Sequence, residues 1–250
     1  MRNRLTLSIL LSLLFLNTGS AIAQVAPEQT SGSLALNFWN PDPEITVQDV
    51  DFVGSLGIAK ERFKDIHITL GQKHKFRFSY VPVKYGETGK LIATTVTYQG
   101  RTYTVDTPVN YEFKWNLYNF GYEWDFARFS HGFVGVIGEV KYSKVTTSLS
   151  SPVAGSEATD TKVPVPTVGG IARGYLGDYF SVTGEFTGLK IDRTDFRGKF
   201  YDFDLYAQVN LTKNVAAQAG YRSLDVDYLV DNDTGTFKMK GPYFGGVVRF

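Results

Sequence analysis

Between positions 201 and 211 the side chains alternate without a fault. Tyr201, Phe203, Leu205, Ala207, Val209 and Leu211 are apolar, and Asp202, Asp204, Tyr206, Gln208 and Asn210 fall between them. A strand whose side chains point in turn to two faces produces this period of two, and a helix does not. The same design recurs upstream. Phe76, Phe78 and Tyr80 share one face against Lys75, Arg77 and Ser79. From position 109, Val109, Tyr111, Phe113, Trp115 and Leu117 oppose Asn110, Glu112, Lys114 and Asn116. From position 118 the phase inverts, with Tyr118, Phe120, Tyr122, Trp124 and Phe126 apolar against Asn119, Gly121, Glu123 and Asp125. A β-bulge near 117–118 restores the facing, because one extra residue re-phases a period-two strand. The change from Ala217, Ala219 and Tyr221 to Leu224, Val226 and Tyr228 asks for a second bulge near 222–223. Phe237 and Met239 disagree in the same way with Phe244, Val248 and Phe250, and Gly241-Pro242 is the natural place for that switch, since Pro lacks the ladder donor.

Two observations decide which solvent the apolar face meets. Arg2 and Arg4, an apolar run over 5–16 and Ala21-Ile22-Ala23 form a secretory signal peptide over residues 1–23, leaving 24–250 as one exported domain. No later segment approaches the roughly 20 apolar residues of a spanning helix. In lipid, only helices and closed barrels satisfy their backbone groups. Strands as long as 109–126 exceed the roughly 5–6 residues usual in globular sheets. The fold class is therefore all-β, a transmembrane antiparallel up-and-down barrel. The segments number ten, or eight if 33–70 pairs differently. Short turns at 71–74, 127–132, 177–178 and 212–214 lie on one rim. Exposed connections at 40–64, 86–108, 148–162 and 191–199 lie on the other, with 231–235 a compact exception. One helical turn is expected within 44–64 and a hairpin around Gln99-Gly100.

The polar face carries Arg77, Glu112, Lys114, Glu123, Glu139, Lys141, Arg173, Glu185, Asp202, Asp204 and Arg222. A barrel of eight to ten strands has an interior only wide enough for side chains or a narrow passage, so these lumen-facing charges either pair and brace it or line a weakly selective path. With 26 basic and 25 acidic residues the chain is nearly balanced, and a nucleic-acid partner is excluded. Absence of Cys removes disulfides and thiol chemistry. Ser130-His131, with Glu139 eight residues on, reads as a polar turn, because neighbours in sequence do not by themselves make a triad. His67 and His74 are isolated, no metal-ligand spacing occurs, and no cofactor is implied. The expectation is a protein without enzymatic activity.

The closing segment Tyr243-Phe244-Gly245-Gly246-Val247-Val248-Arg249-Phe250, together with the leader and the ten alternating segments, resembles small bacterial outer-membrane β-barrel proteins of the broad OmpA/OmpX-like and porin-like class. Segments 73–80 and 121–126 resemble stretches of envelope barrels as well. Unlike full-length OmpA, no peptidoglycan-binding domain follows. The resemblance implies a Gram-negative envelope, outer-membrane lipids as surroundings, and insertion by the barrel assembly machinery, with Tyr243, Phe244, Val248 and Phe250 as its signal. It names no activity. A structural or narrow porin-like role is expected, with a lipid A-modifying enzyme and an adhesion or ligand-binding barrel as the alternatives.

Overall fold

The computed structural model describes residues 30–47, 50–177, 179–192, 196–230 and 233–250. The leader at 1–23 and the turn positions Asp178, Asp231 and Asn232 lie outside the described residues. Strands β1 (Gly32–Trp39), β4 (Phe63–Gly71), β5 (His74–Leu91), β8 (Pro108–Phe129), β9 (Gly132–Ser151), β10 (Gly155–Leu176), β11 (Phe180–Asp192), β12 (Phe196–Asn210), β13 (Val215–Val230) and β14 (Asp233–Arg249) pair antiparallel in that order, and β14 closes on β1. This is a ten-stranded barrel. At the seam Ser33 pairs with Arg249 and Trp39 with Tyr243, and the Phe250 carbonyl accepts from the Ser31 and Gly32 amides. A Cβ at Gly32 would stand 2.7 Å from the Phe250 ring.

Short strands complete the upper barrel. β2 (Asp42–Val47) continues β1 along β14 after a break at Asn40 and Pro41, and β3 (Val50–Asp51) pairs with β2. Pro43 sits inside β2, opposite Met239. The helical turn α1 (Phe52–Leu56) follows, capped by the Asp51 carboxylate, which accepts from the Val53 and Gly54 amides at 2.9 Å, and ended by Gly57 at φ 64°. A hairpin of β6 (Val96–Tyr98) and β7 (Arg101–Tyr103) turns at Gln99 and Gly100, as expected.

The inversions of phase have a different cause from the one expected. Registers of β8 with β9 and of β5 with β8 run unbroken past 117–118, as does β13 with both neighbours past 222–223 and through Pro242. The register shifts lie elsewhere, between Glu87 and Lys90 and between Trp124 and Ala127. Odd positions of β8 face the interior from Val109 to Asp125, and the environments change places instead. In the lower barrel, Phe120, Trp124, Phe186, Phe203, Leu205, Phe244 and Val248 point outward and are exposed, forming an apolar band for lipid. In the upper barrel the inward residues are apolar: Phe113, Trp115, Leu224, Phe237 and Met239 are buried in one core with Trp39, Ile45, Phe52, Leu56, Tyr98 and Tyr103. A spanning strand needs only about 9–11 residues. Strands of up to 22 residues therefore rise past the lipid, where water outside favours polar side chains and a core must form within.

The expected rim asymmetry is thereby modified. The segment 148–162 belongs to the β9–β10 hairpin, turning at 152–154, and β11 and β12 occupy most of 191–199. Ser and Thr alternate there on a strand wetted from outside. The 40–64 connection is not an exposed loop either: Ile45, Val47, Val50, Phe52, Leu56 and Ile58 are buried, so it folds over the core of the upper barrel. Its neighbour, the β6–β7 hairpin, is held to β9 and β10 by the Tyr98 hydroxyl on Thr159 at 2.9 Å, the Tyr103 hydroxyl on the Leu149 carbonyl at 3.1 Å and Arg101 on Glu157 at 2.8 Å.

Candidate functional site

The lower interior collects the charged side chains, because every strand whose lipid-facing residues are apolar has only its inward positions left for polar groups. Ions taken out of water cost several kcal/mol each unless partners replace the solvent, and here they have partners from strands far apart in sequence. One chain of ions starts at Glu185 on β11. Its two carboxylate oxygens accept from Arg77 Nη2 at 2.7 and 2.8 Å. Arg77 also lies 3.3 Å from Glu123, which is 2.7 Å from Lys75, which in turn reaches Asp125 at 2.7 Å. The Lys75 ammonium stands 4.2 Å over the Phe133 ring. A second chain joins β4, β13, β12 and β9: Arg222 lies 3.4 Å from Asp65 and 2.9 Å from Asp202, and Lys141 is 2.8 Å from both Asp202 and Glu139. Asp65 holds His67 at 2.8 Å.

Hydrogen bonds that involve neutral groups complete the set. Arg173 donates to Thr183 at 2.6 Å and to the Tyr206 hydroxyl at 2.9 Å, while Tyr243 donates to Asp204 at 3.0 Å. Toward the short-turn rim, Gln208 donates to Gln218, Gln218 to Asn37, and Arg249 to Asn210 at 2.8 Å. The polar cavity that remains has a volume of about 120 Å³. That is room for a few waters. Above it, Trp39 and Phe200 belong to the apolar core of the upper barrel.

Arg77, Glu123, Glu139, Lys141, Arg173, Glu185, Asp202, Asp204 and Arg222 all line this cavity. Glu112 and Lys114 do not. They sit on the outer wall of β8 above the lipid band, 36% and 40% exposed, in a surface cluster with Lys84. The reason is the exchange of environments along β8: a polar residue faces inward below Leu117 and outward above it. Four members of the network escaped the sequence reading, namely Asp65, Lys75, Asp125 and Arg249. Keeping one parity along each strand finds them, since Lys75 shares the phase of Arg77, and Asp125 that of Glu123. Among the four residues of the expected assembly signal, Phe244, Val248 and Phe250 point outward, whereas Tyr243 is buried and faces Asp204. Ser130 Oγ and His131 Nδ1 are 2.7 Å apart in the exposed β8–β9 turn. Glu139 is bound to Lys141 inside the barrel, so it does not complete a triad with them. Among the described residues no group of three His, Asp or Glu side chains is arranged to hold a metal ion.

No family model and no curated protein matches the chain. Solved structures do. The outer membrane protease OmpT of Escherichia coli is similar at 10% identity and a TM-score of 0.51, over 88% of this chain and 96% of that one. Ail, the attachment invasion locus protein of Yersinia pestis, aligns at 12% identity and a TM-score of 0.43, over 88% and 99% of the two chains. The Pseudomonas putida toluene transporter TodX aligns at 8% identity and a TM-score of 0.36, over 88% and 90%. At 10% identity the likeness to OmpT carries the architecture and no activity. With ten antiparallel strands, an outward apolar band and a polar lower interior, the chain has the fold of the bacterial outer-membrane β-barrels.

Proposed function

We propose that the protein resides in the outer membrane as an axially closed, internally braced scaffold, without catalytic activity, and that it is not a porin. The observation that carries this reading is the pairing of the lumen charges. Arg77, Lys75, Lys141 and Arg222 each bind carboxylates within 3.4 Å, while Arg173 and Asp204 are held by hydroxyl groups of Thr183, Tyr206 and Tyr243. The buried residues of 45–58 and the β6–β7 hairpin close the upper barrel with apolar side chains, which oppose hydration of a path. Bracing costs little specificity of sequence but fixes the strands against shear, since each ion chain ties three or four of them together. Planar-bilayer recording on refolded protein tests the proposal. No current above leak is expected, and a steady open-channel conductance overturns it.

A further inference from the structure

The wall of the barrel is incomplete between β10 and β11. β10 pairs with β11 only from Val168 opposite Gly188 down to Leu176 opposite Phe180. Above Val168, β10 continues against β9 as far as Gly155, and β11 continues against β12 as far as Asp192, so the two hairpins part. The cause is in the sequence. Tyr175, an inward residue of β10, donates its amide to His131 on the β9 side, so inward positions of β10 bond to β9 and outward ones to β11. The next two outward positions above Val168 are Pro164 and Pro166, which have no amide hydrogen to give β11. Two successive rungs are lost, and the ladder ends there.

Behind the gap lies an apolar chamber of about 150 Å³, lined by Val145, Val163, Val165, Phe200, Val226 and Phe237. Leu189 and Ile191 of β11 and the two prolines frame its entrance. A cavity of about this volume lined by aliphatic and aromatic groups accommodates one benzene-sized apolar group. The entrance meets the upper edge of the lipid-facing band, where Val168 is 67% exposed and Val140 and Tyr142 point outward on the adjoining strand. Lys190, between Leu189 and Ile191, and Lys162, which lies 3.5 Å from Asp160, are both on the outer face.

We propose that this gap is a lateral doorway through which the end of an acyl chain of an anionic lipid in the surrounding leaflet enters the chamber. The apolar lining suits the hydrocarbon, the doorway opens where lipid tails lie, and the lysines meet an anionic head group at the polar boundary. Axial closure of the lumen does not depend on this doorway, nor the doorway on axial closure.

Trp115 reports on the chamber, because its indole donates to Ser143, which lines the chamber, and its ring lies 5.7 Å from that of Phe237. Trp124 faces lipid and is removed as Trp124→Phe, which leaves Trp39 as a buried reference. In vesicles of phosphatidylglycerol brominated near the chain ends, Trp115 fluorescence is expected to be quenched. Pro164→Thr with Pro166→Thr restores both donors and is expected to abolish the quenching, and so is Val165→Phe, which fills the chamber and leaves the wall unchanged. Lys162→Gln with Lys190→Gln is expected to remove the preference for phosphatidylglycerol over phosphatidylcholine. Boiled and unboiled gel migration identifies any variant that fails to fold. The proposal is overturned if the folded Trp124→Phe protein shows no quenching, if quenching survives Val165→Phe, or if only brominated fatty acid added from the water quenches.

Discussion

Leu117 and Asn119 occupy successive inward positions of β8, and they belong to different interiors: Leu117 lies in the apolar core of the upper barrel, while Asn119 donates to Ser79 at 2.8 Å in the polar half below. The outer wall changes at the same level, from Asn116 above to Tyr118 below. Tyr118 stacks on Tyr80 at 4.7 Å and lies 6.4 Å from Tyr142, a row of amphipathic rings suited to the boundary between lipid and water.

Leu117→Asn places an amide in the apolar side of that boundary with no partner and leaves a void where the leucine methyls were. A loss of about 3 kcal/mol is expected. Reversible urea unfolding in lipid vesicles measures it, and a loss no larger than that of Asn119→Leu places the boundary elsewhere.

The outer wall gives a matching contrast. Phe120→Arg introduces charge into the lipid-facing band and is expected to cost about 2–4 kcal/mol. Lys114→Gln, three pleat repeats higher, removes one exposed charge and is expected to change stability by less than about 0.5 kcal/mol. A gain of stability of that size in Lys114→Gln would show that the lipid reaches the level of Lys114.

The ten strands, their order and the short turns are legible in the sequence, because apolar and polar residues alternate along each of them. What alternation leaves open is which face is inside, since a period of two is symmetric between the faces. On β8 and β13 the inside changes from polar to apolar along one unbroken ladder, and a reader who holds the apolar face outward must invent a bulge to explain it. That assumption also sends Glu112 and Lys114 into the lumen. The hairpin at 148–162 is hidden for a related reason, as Ser and Thr on a water-exposed strand resemble loop composition. Pairings such as Arg77 with Glu185, 108 residues apart, follow from barrel closure and register, which no local pattern contains.

Removing one member of an ion chain leaves buried partners short of counter-charge. Arg77→Ala, which strips Glu185 and Glu123 of their shared cation, is expected to cost about 3–5 kcal/mol, whereas Arg77→Met combined with Glu185→Leu is expected to recover most of that loss. Urea midpoints of the two variants make the comparison. If the double variant is no more stable than the single one, the pair does more than neutralise itself.

The upper core contains a phenol that gains nothing from its hydroxyl. Tyr85 is buried, and its oxygen has no hydrogen-bond partner among the described residues. Tyr85→Phe is expected to stabilise the fold by about 1 kcal/mol. Burial, with Glu61 and Asp42 adding to it, raises the Tyr85 ionisation well above the ordinary phenol range, and burial followed by Glu87 and Glu61 does the same for Tyr111. A group whose folded value is raised contributes stability that is complete below its unfolded value and is lost as pH rises toward the folded one. The upper core is therefore expected to loosen above about pH 10, where unfolded tyrosine ionises. Near-ultraviolet circular dichroism follows the loosening, and Tyr85→Phe is expected to move its onset to higher pH. An unchanged onset in that variant removes Tyr85 as a cause.

The β6–β7 hairpin separates the contribution of its surface contacts from that of its buried rings. Arg101 bonds Glu157 and the Ala154 carbonyl at 2.7 Å, but it is exposed, and Arg101→Ala is expected to cost no more than about 1 kcal/mol. Tyr98 is fully buried with its ring 6.3 Å from that of Phe52, and Tyr98→Ala is expected to cost about 3 kcal/mol by emptying the space between the hairpin and α1. Limited proteolysis of the refolded barrel distinguishes them: cleavage around Gln99 and Gly100 is expected to accelerate strongly in Tyr98→Ala and slightly in Arg101→Ala. The reverse order would mean that the hairpin is held by its rim and not by its core.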